Sequence, residues 1–395
     1  MFNIKTYIKI ELAVLARWFV WPLAIIGRSS LLGVQMIRCL HRISAQRLLL
    51  LVLGLTPSAY PIAMAEPEVN WNLFTHFEAY QSSEPTTQDD IKWGESALFL
   101  TGRLTDRLSF LSEISYEIPK YRDQSVKVER LRLRYDLNRD NWIIAGKMHT
   151  PVNYWNDNFH HGRLFFPSIN RPKSFSRFIP IHETGLRLGG KNLFGSNIGY
   201  DIVFGSGQSV GNDVFSEGIQ SYTATASWTP LRDLKIMGSY YRDTILKHQS
   251  ASDHNGHGLT MTMQPASSQR EMTSPVDIDY EMYSFSMHWG GERFRILTEL
   301  SMNRTHDGEF NRAAYQYIGY HVMEDLTLYG LYDMVDVDDS EIHFAPGRDT
   351  SYGVGLKYDF GVNASIKTEL RRRDDHTGGR DLYNNEIQVQ LSFGI

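Results

Sequence analysis

From residue 69 onward the chain alternates between apolar and polar positions. In residues 69–80, VNWNLFTHFEAY, Val69, Trp71, Leu73, Thr75, Phe77 and Ala79 share one face, and Asn70, Asn72, His76 and Glu78 share the other. In residues 128–137, VERLRLRYDL, Leu131, Leu133, Tyr135 and Leu137 oppose Arg130, Arg132, Arg134 and Asp136. In residues 385–395, NEIQVQLSFGI, Ile387, Val389, Leu391, Phe393 and Ile395 oppose Glu386, Gln388, Gln390 and Ser392. Period two is the pattern of a half-buried strand. The segments exceed the usual strand length of about five or six residues. They match the roughly 9–11 residues that a tilted strand needs to cross a bilayer.

The pattern predicts sixteen strands, near 69–81, 93–104, 107–118, 125–137, 141–149, 181–190, 195–205, 218–229, 232–244, 279–290, 293–304, 310–321, 324–335, 349–360, 362–373 and 384–394. Short turns (LTDR, LNRDN, GGKNLFG, TPLRD, WGGER, VMED and DFGV) alternate with longer connections, among them 82–92, 150–180, 206–217, 245–278, 336–348 and 374–383. An even strand count with short turns on one side and long loops on the other predicts an all-β fold, a transmembrane antiparallel β-barrel. A soluble sandwich would use shorter strands and would lack the alternation of loop lengths. In hydrocarbon an open sheet edge leaves backbone groups unsatisfied, so the first strand must pair with the last. Both mature termini then lie on the short-turn rim, the periplasmic side of an outer membrane. Trp71, Trp93, Trp142, Trp228, Trp289, Tyr320 and Tyr358 stand near strand ends, where interfacial aromatic girdles belong.

Residues 1–65 read differently. From Met36 a basic stretch (Arg38, Arg42, Arg47) precedes an apolar run, Leu48 to Leu55, and then Ala63-Met64-Ala65. That is a secretory signal with a small-x-small cleavage site, so the mature chain is expected to begin at Glu66 as a single barrel domain, 66–395. In residues 1–35 the apolar WFVWPLAIIG is short and flanked by Arg17 and Arg28. Met36 is the expected true start, with a long signal as the alternative. The only cysteine, Cys39, falls in the removed segment, so the mature chain needs no disulfide in an oxidising compartment. The chain carries 40 basic and 45 acidic residues; seven basic and one acidic precede residue 66, which leaves 33 and 44, a net of −11. Nucleic acid is therefore excluded as a partner.

The signal, the sixteen strands and the ending QVQLSFGI resemble Gram-negative outer-membrane porins, over residues 66–395. Family chains usually end in an aromatic residue; here Ile395 is last and Phe393 stands two before it. The stretch GKMHTPVNYWNDNFHHG, followed by NRP at 170–172, is similar to one in poorly characterised porin-like proteins. The resemblance implies a third long loop folded into the lumen. It also implies reading of the last strand by the barrel-assembly machinery, a wall in contact with outer-membrane lipid and lipopolysaccharide, and small hydrophilic solutes as cargo. It allows a homotrimer.

The third long loop, residues 150–180, is dense in aromatics and polar groups. Pro151, Pro167 and Pro172 exclude a long helix, yet the loop has too many large side chains for an idle linker. A sixteen-stranded barrel is wide enough for an aqueous channel, and whatever occupies its lumen sets its permeability. Tyr154, Trp155, Phe159, Phe165 and Phe166 are expected to anchor the loop or form an apolar slide. Asp157, His160, His161, Arg163 and Arg171 are expected to supply polar contacts at a constriction. The alternative is a loop folded outward as a cap.

Alternation places Arg130, Arg132 and Arg134 on the inner face, with Lys147, Arg187, Arg295, Lys367 and Arg371 on the same side. Arg or Lys facing lipid near the midplane costs about 2–4 kcal/mol, which favours the inward reading. This cation cluster would favour anionic or zwitterionic solutes, with Glu183 and Asp157 opposing it. Alternatively these charges only bind one another and hydrate the wall. His149 with His160 and His161, the His- and Met-containing loop 245–278, and the acidic Asp336, Asp338, Asp339 and Glu341 are unspecific as metal sites. No nucleophile elbow, zinc-protease motif or P-loop is present, so neither an enzyme nor a cofactor is expected. The expected function is passive diffusion. The other readings are a non-conducting barrel for adhesion or envelope structure and, third, a surface hydrolase.

Overall fold

The computed structural model describes residues 68–84, 90–117, 125–159, 162–176, 178–208, 219–245, 277–305, 308, 310–341, 343–379 and 381–395. The sixteen strands are β1 (Glu68–Ser82), β2 (Asp90–Arg103), β3 (Leu108–Glu117), β4 (Ser125–Asp136), β5 (Asn141–His149), β6 (His182–Leu193), β7 (Ile198–Gly205) and β8 (Ser221–Leu231), followed by β9 (Leu234–Ile245), β10 (Ile278–Gly290), β11 (Phe294–Thr305), β12 (Asn311–Met323), β13 (Leu326–Val337), β14 (Gly347–Asp359), β15 (Ala364–Asp375) and β16 (Leu382–Gly394). A short helix, α1 (Tyr154–Asn158), lies between β5 and β6. Each strand pairs antiparallel with its neighbours in sequence, and β1 pairs with β16, which closes the barrel. The seam continues to the last residue: Leu73 and Ile395 exchange both backbone hydrogen bonds, at 2.9 and 3.0 Å. Among the described residues no strand leaves a sheet edge unpaired, as a membrane wall requires.

The outer face carries the apolar residues that alternation assigned to it. Trp71, Leu131, Leu133, Val354 and Leu370 are exposed, as are Trp93, Trp228, Trp289 and Tyr320 near strand ends. Trp142 departs from the predicted girdle. It stands opposite Asp136 in the ladder and lies under the Arg134 guanidinium at 4.4 Å, on the inner face. Two irregularities were not visible in the pattern. The β3–β4 register shifts between Glu113 and Ile114, and both Glu129 (3% exposed) and its neighbour Arg130 are drawn inward. Such a bulge breaks strict alternation. The turn expected within GGKNLFG falls later, because β6 runs on to Leu193 and the reversal uses Phe194 and Asn197 at φ 54° and 57°.

The large apolar core is not in the sheet but within the barrel. Val152, Trp155, Phe166, Phe175, Phe178 and Ile179 of the third long loop pack with Tyr241, Tyr280, Tyr315 and Tyr329 of the inner wall.

Candidate functional site

The loop between β5 and β6 is pinched at its base. The Thr150 N–H donates to the Ile181 carbonyl at 3.1 Å, and the Asn156 amide donates to the carbonyls of Thr150 and Ile181 at 2.8 and 3.1 Å. Pro151 has no N–H to continue the ladder, so the chain leaves the sheet there. Asn153, with extended backbone, caps α1 by accepting from the Asn156 N–H at 2.8 Å. Gly162, at φ 76°, turns the chain into a 3₁₀ turn over Arg163–Phe165.

From this base the loop enters the lumen and docks along the wall from β8 to β16. Thr225 of β8 donates to the Pro151 carbonyl at 2.6 Å. Glu299 of β11 accepts from the Trp155 N–H at 2.7 Å, and Glu369 of β15 accepts from the Ile169 N–H at 2.5 Å. Asp333 of β13 accepts from the Lys173 N–H at 3.0 Å, and Asp349 of β14 holds the Lys173 ammonium. Gln388 of β16 accepts from the Asn170 amide at 2.7 Å. Lys367 donates to the Arg163 carbonyl and to Gln390. Four wall carboxylates thus satisfy loop donors that would otherwise be buried without partners. Burial pushes the Tyr154 hydroxyl up to about 12. It pulls Arg171 down to about 10, with the Arg163 guanidinium adding to the effect. Burial also lowers the Lys173 ammonium, as does Arg373, while Asp349 and Asp333 oppose them.

The arginine ladder of β4 faces the lumen, with the loop carboxylate of Asp157 within electrostatic reach of Arg132. Arg130 pairs with the fully buried Glu113, and Arg134 pairs with Asp136 at 2.8 Å. Arg132, half-buried, makes no ion pair among the described residues. Arg187 of β6 bridges the loop and the wall, at 3.4 Å from Asp157 and 2.7 Å from Asp201.

The sequence-predicted residues divide accordingly. Trp155 is fully buried as an anchor, and Arg163 and Arg171 are buried beneath the loop. Tyr154 and Asp157 are half-buried on α1, and Phe165 is half exposed, edge-on to Phe74 at 5.2 Å. His160 and His161 lie outside the described residues, as does nearly all of loop 245–278. Lys147 corrects the inward expectation. It stands opposite Leu131, which is 58% exposed on the outer face, and its ammonium donates to the Val128 carbonyl at 2.7 Å. The reason is parity: Ile144 faces inward opposite Arg134 and Arg187, and Lys147 is an odd number of residues away. Glu183 is inward and buried and accepts from the Ser221 hydroxyl at 2.6 Å. Lys367 and Arg371 are inward yet held under the loop, Arg371 by Glu369 at 2.5 Å. The anchoring acids Glu299, Asp333, Asp349 and Glu369 were not singled out, although each sits at an inward position that alternation marks.

The same architecture recurs in solved structures. OmpT of Vibrio cholerae, in its trimer form, superposes with a TM-score of 0.56 at 13% identity, covering 84% of this chain and 100% of that one. The outer-membrane channel DcaP of Acinetobacter baumannii gives 0.56 at 10%, covering 84% and 99%. An anion-selective porin from Comamonas acidovorans gives 0.56 at 11%, covering 84% and 100%. No protein-family model and no curated protein matches the chain. The chain therefore has the fold of a Gram-negative outer-membrane porin.

Proposed function

We propose that this barrel is a passive diffusion channel of the outer membrane, with no enzymatic role, that admits small hydrophilic solutes and favours anions. The supporting observation is the docking of the third loop inside the lumen, chiefly against β8–β16, with Arg132 of β4 facing the lumen between Arg130 and Arg134 and making no ion pair among the described residues. A narrow aqueous gap between low-dielectric walls focuses the field of such a charge. Replacing Arg130, Arg132 and Arg134 by Gln tests the reading, because no lipid-facing residue changes. The reversal potential in a salt gradient is expected to move toward cations, and the shift to shrink in about 1 M salt, where the screening length is roughly 3 Å. An unchanged reversal potential would remove anion preference from the reading.

A second reading is a non-conducting barrel plugged by the third loop, which the aromatic cluster of Trp155, Phe166, Phe175 and Tyr315 favours. Discrete current steps in planar bilayers decide between the two; silence would establish the plug.

The outer wall supports two kinds of partner. At the long-loop ends of β9–β15, Arg242, Arg304, Arg312, Arg348 and Arg372 lie on outward positions, suited to phosphates of lipopolysaccharide. At the same ends of β2 and β4 the outward residues are apolar: Ile91 is 82% exposed and Val126 69%. An apolar sector reaching the rim suits a second copy, as in a homotrimer. Export by the signal, insertion by the assembly machinery through the last strand, and periplasmic termini complete the proposal.

A further inference from the structure

Beneath the third loop, near the short-turn ends of β9, β10 and β11, a second set of cations faces the lumen. Lys235 is the second residue of β9 and stands directly opposite His288 of β10. Arg295 is the second residue of β11, opposite Gly290 on one side and Gly319 on the other. The loop reaches them through α1. The Tyr154 ring stacks on His288 at 4.4 Å and 7°, and the Lys235 ammonium lies 5.6 Å from the Tyr154 ring centre.

Neither Lys235 nor Arg295 makes an ion pair among the described residues, and the Arg295 Nε, itself out of contact with solvent, has no hydrogen-bond partner. The neighbouring acids are committed elsewhere. Asp157 and Asp201 hold Arg187 at 3.4 and 2.7 Å, Glu299 holds the Trp155 N–H and the Ser286 hydroxyl, and Asp359 holds Lys357 at 2.9 Å. The floor opposite Arg295 is glycine: a Cβ at Gly319 would meet the Tyr317 hydroxyl at 2.6 Å. Lys235, His288, Arg295 and Tyr154 are all half-buried, neither sealed in the core nor outside the barrel.

We propose that Lys235, Arg295, His288 and the Tyr154 hydroxyl form a binding site for small oxyanions, solutes bearing a phosphate or a carboxylate, on the short-turn side of the third loop. Two cations without acid partners on adjacent inward rows, beside a hydroxyl and an imidazole, supply the converging donors that such a group accepts. The site is separate from the β4 ladder, and the diffusion reading enters only as the route by which solute arrives.

The test uses the folded full-length barrel and inorganic phosphate. Isothermal titration at low ionic strength should show saturable binding, weakened at least about tenfold in Lys235→Gln/Arg295→Gln, the loss of one or more charge-assisted hydrogen bonds. Arg139→Gln, in the exposed short turn between β4 and β5, should leave it unchanged. Phosphate added on the short-turn side of a planar bilayer should block current at lower concentration than phosphate on the other side. If the double variant lacks a heat-resistant band, Lys235→Gln alone serves. Conductance without saturable phosphate binding overturns the site, as does an equal loss in Arg130→Gln/Arg132→Gln/Arg134→Gln. Binding that persists in a silent bilayer overturns the channel reading and leaves the site standing.

Discussion

Replacing Glu299 by Leu should release the first turn of the third loop without harming the barrel. Glu299 is 2% exposed. One carboxylate oxygen accepts from the Trp155 N–H at 2.7 Å and the other from the Ser286 hydroxyl, whose own oxygen accepts from the Tyr154 N–H at 3.0 Å. Leucine removes both acceptors and strands a buried backbone donor, which costs about 1–3 kcal/mol, and loss of the serine's acceptor adds to it. Together they cost about 2–4 kcal/mol, a shift of roughly 30- to 1,000-fold toward the undocked loop. Glu299→Gln keeps an acceptor for Trp155 and turns its amide toward the serine oxygen, so its effect should be small. The interstrand ladder is backbone and stays intact, so a heat-resistant band is expected for both variants. Limited proteolysis within residues 154–166 reports loop release, and open-channel current noise reports it independently. Equal cleavage rates in wild type and Glu299→Leu would refute the anchoring argument. A glutamine variant as impaired as the leucine variant would show that charge, not hydrogen bonding, holds the loop.

Deleting residues 151–175 should raise single-channel conductance while the heat-resistant band persists; unchanged conductance would remove the loop from the permeation path. Trp155→Ala should weaken loop docking by about 3–5 kcal/mol, the usual cost of emptying a buried tryptophan site, read as faster proteolysis of the loop. Lys147→Met should be neutral or stabilising and should leave ion selectivity unchanged, because the side chain lies on the outer parity; a selectivity change would put it back in the lumen. N-terminal sequencing of protein extracted from outer membranes should begin at Glu66, and a start upstream of Ala65 would refute the signal reading.

Strand number, strand order and the inner and outer faces were legible because each strand is amphipathic with period two and a membrane punishes any exception. Leu131, Leu133 and Tyr135 against Arg130, Arg132 and Arg134 determine the orientation of β4 without any tertiary information. Three things were hidden. Lys147 follows from register, which a single strand does not reveal: Ile143 and Ile144 put apolar residues on both faces of β5. The Glu129 bulge puts two consecutive charges inward, and period two has no symbol for that. Trp142 resembles a girdle residue by type and position, but Arg134 and Asp136 claim it across the ladder. At the site, the loop's role was legible from its prolines and aromatics, whereas its anchors were not, because Glu299, Asp333, Asp349 and Glu369 look like any other inward acids.

That last failure says how the lumen is divided. Alternation identifies every inward polar residue but not what it meets. On β11 and β13–β15 the inward acids meet backbone N–H groups and the ammonium of the loop, so their charge is spent on docking. On β4, and at the short-turn ends of β9 and β11, the inward cations Arg132, Lys235 and Arg295 make no ion pair among the described residues. The loop contributes to this division, because its backbone N–H groups and the Lys173 ammonium engage the carboxylates of β11 and β13–β15. The net of −11 over residues 66–395 therefore does not by itself give the sign of selection in the lumen. On the proposed channel reading, anion preference is expected of an acidic barrel whose acids are engaged by the loop, and exchanging the anchor acids for apolar residues is expected to change docking far more than selectivity.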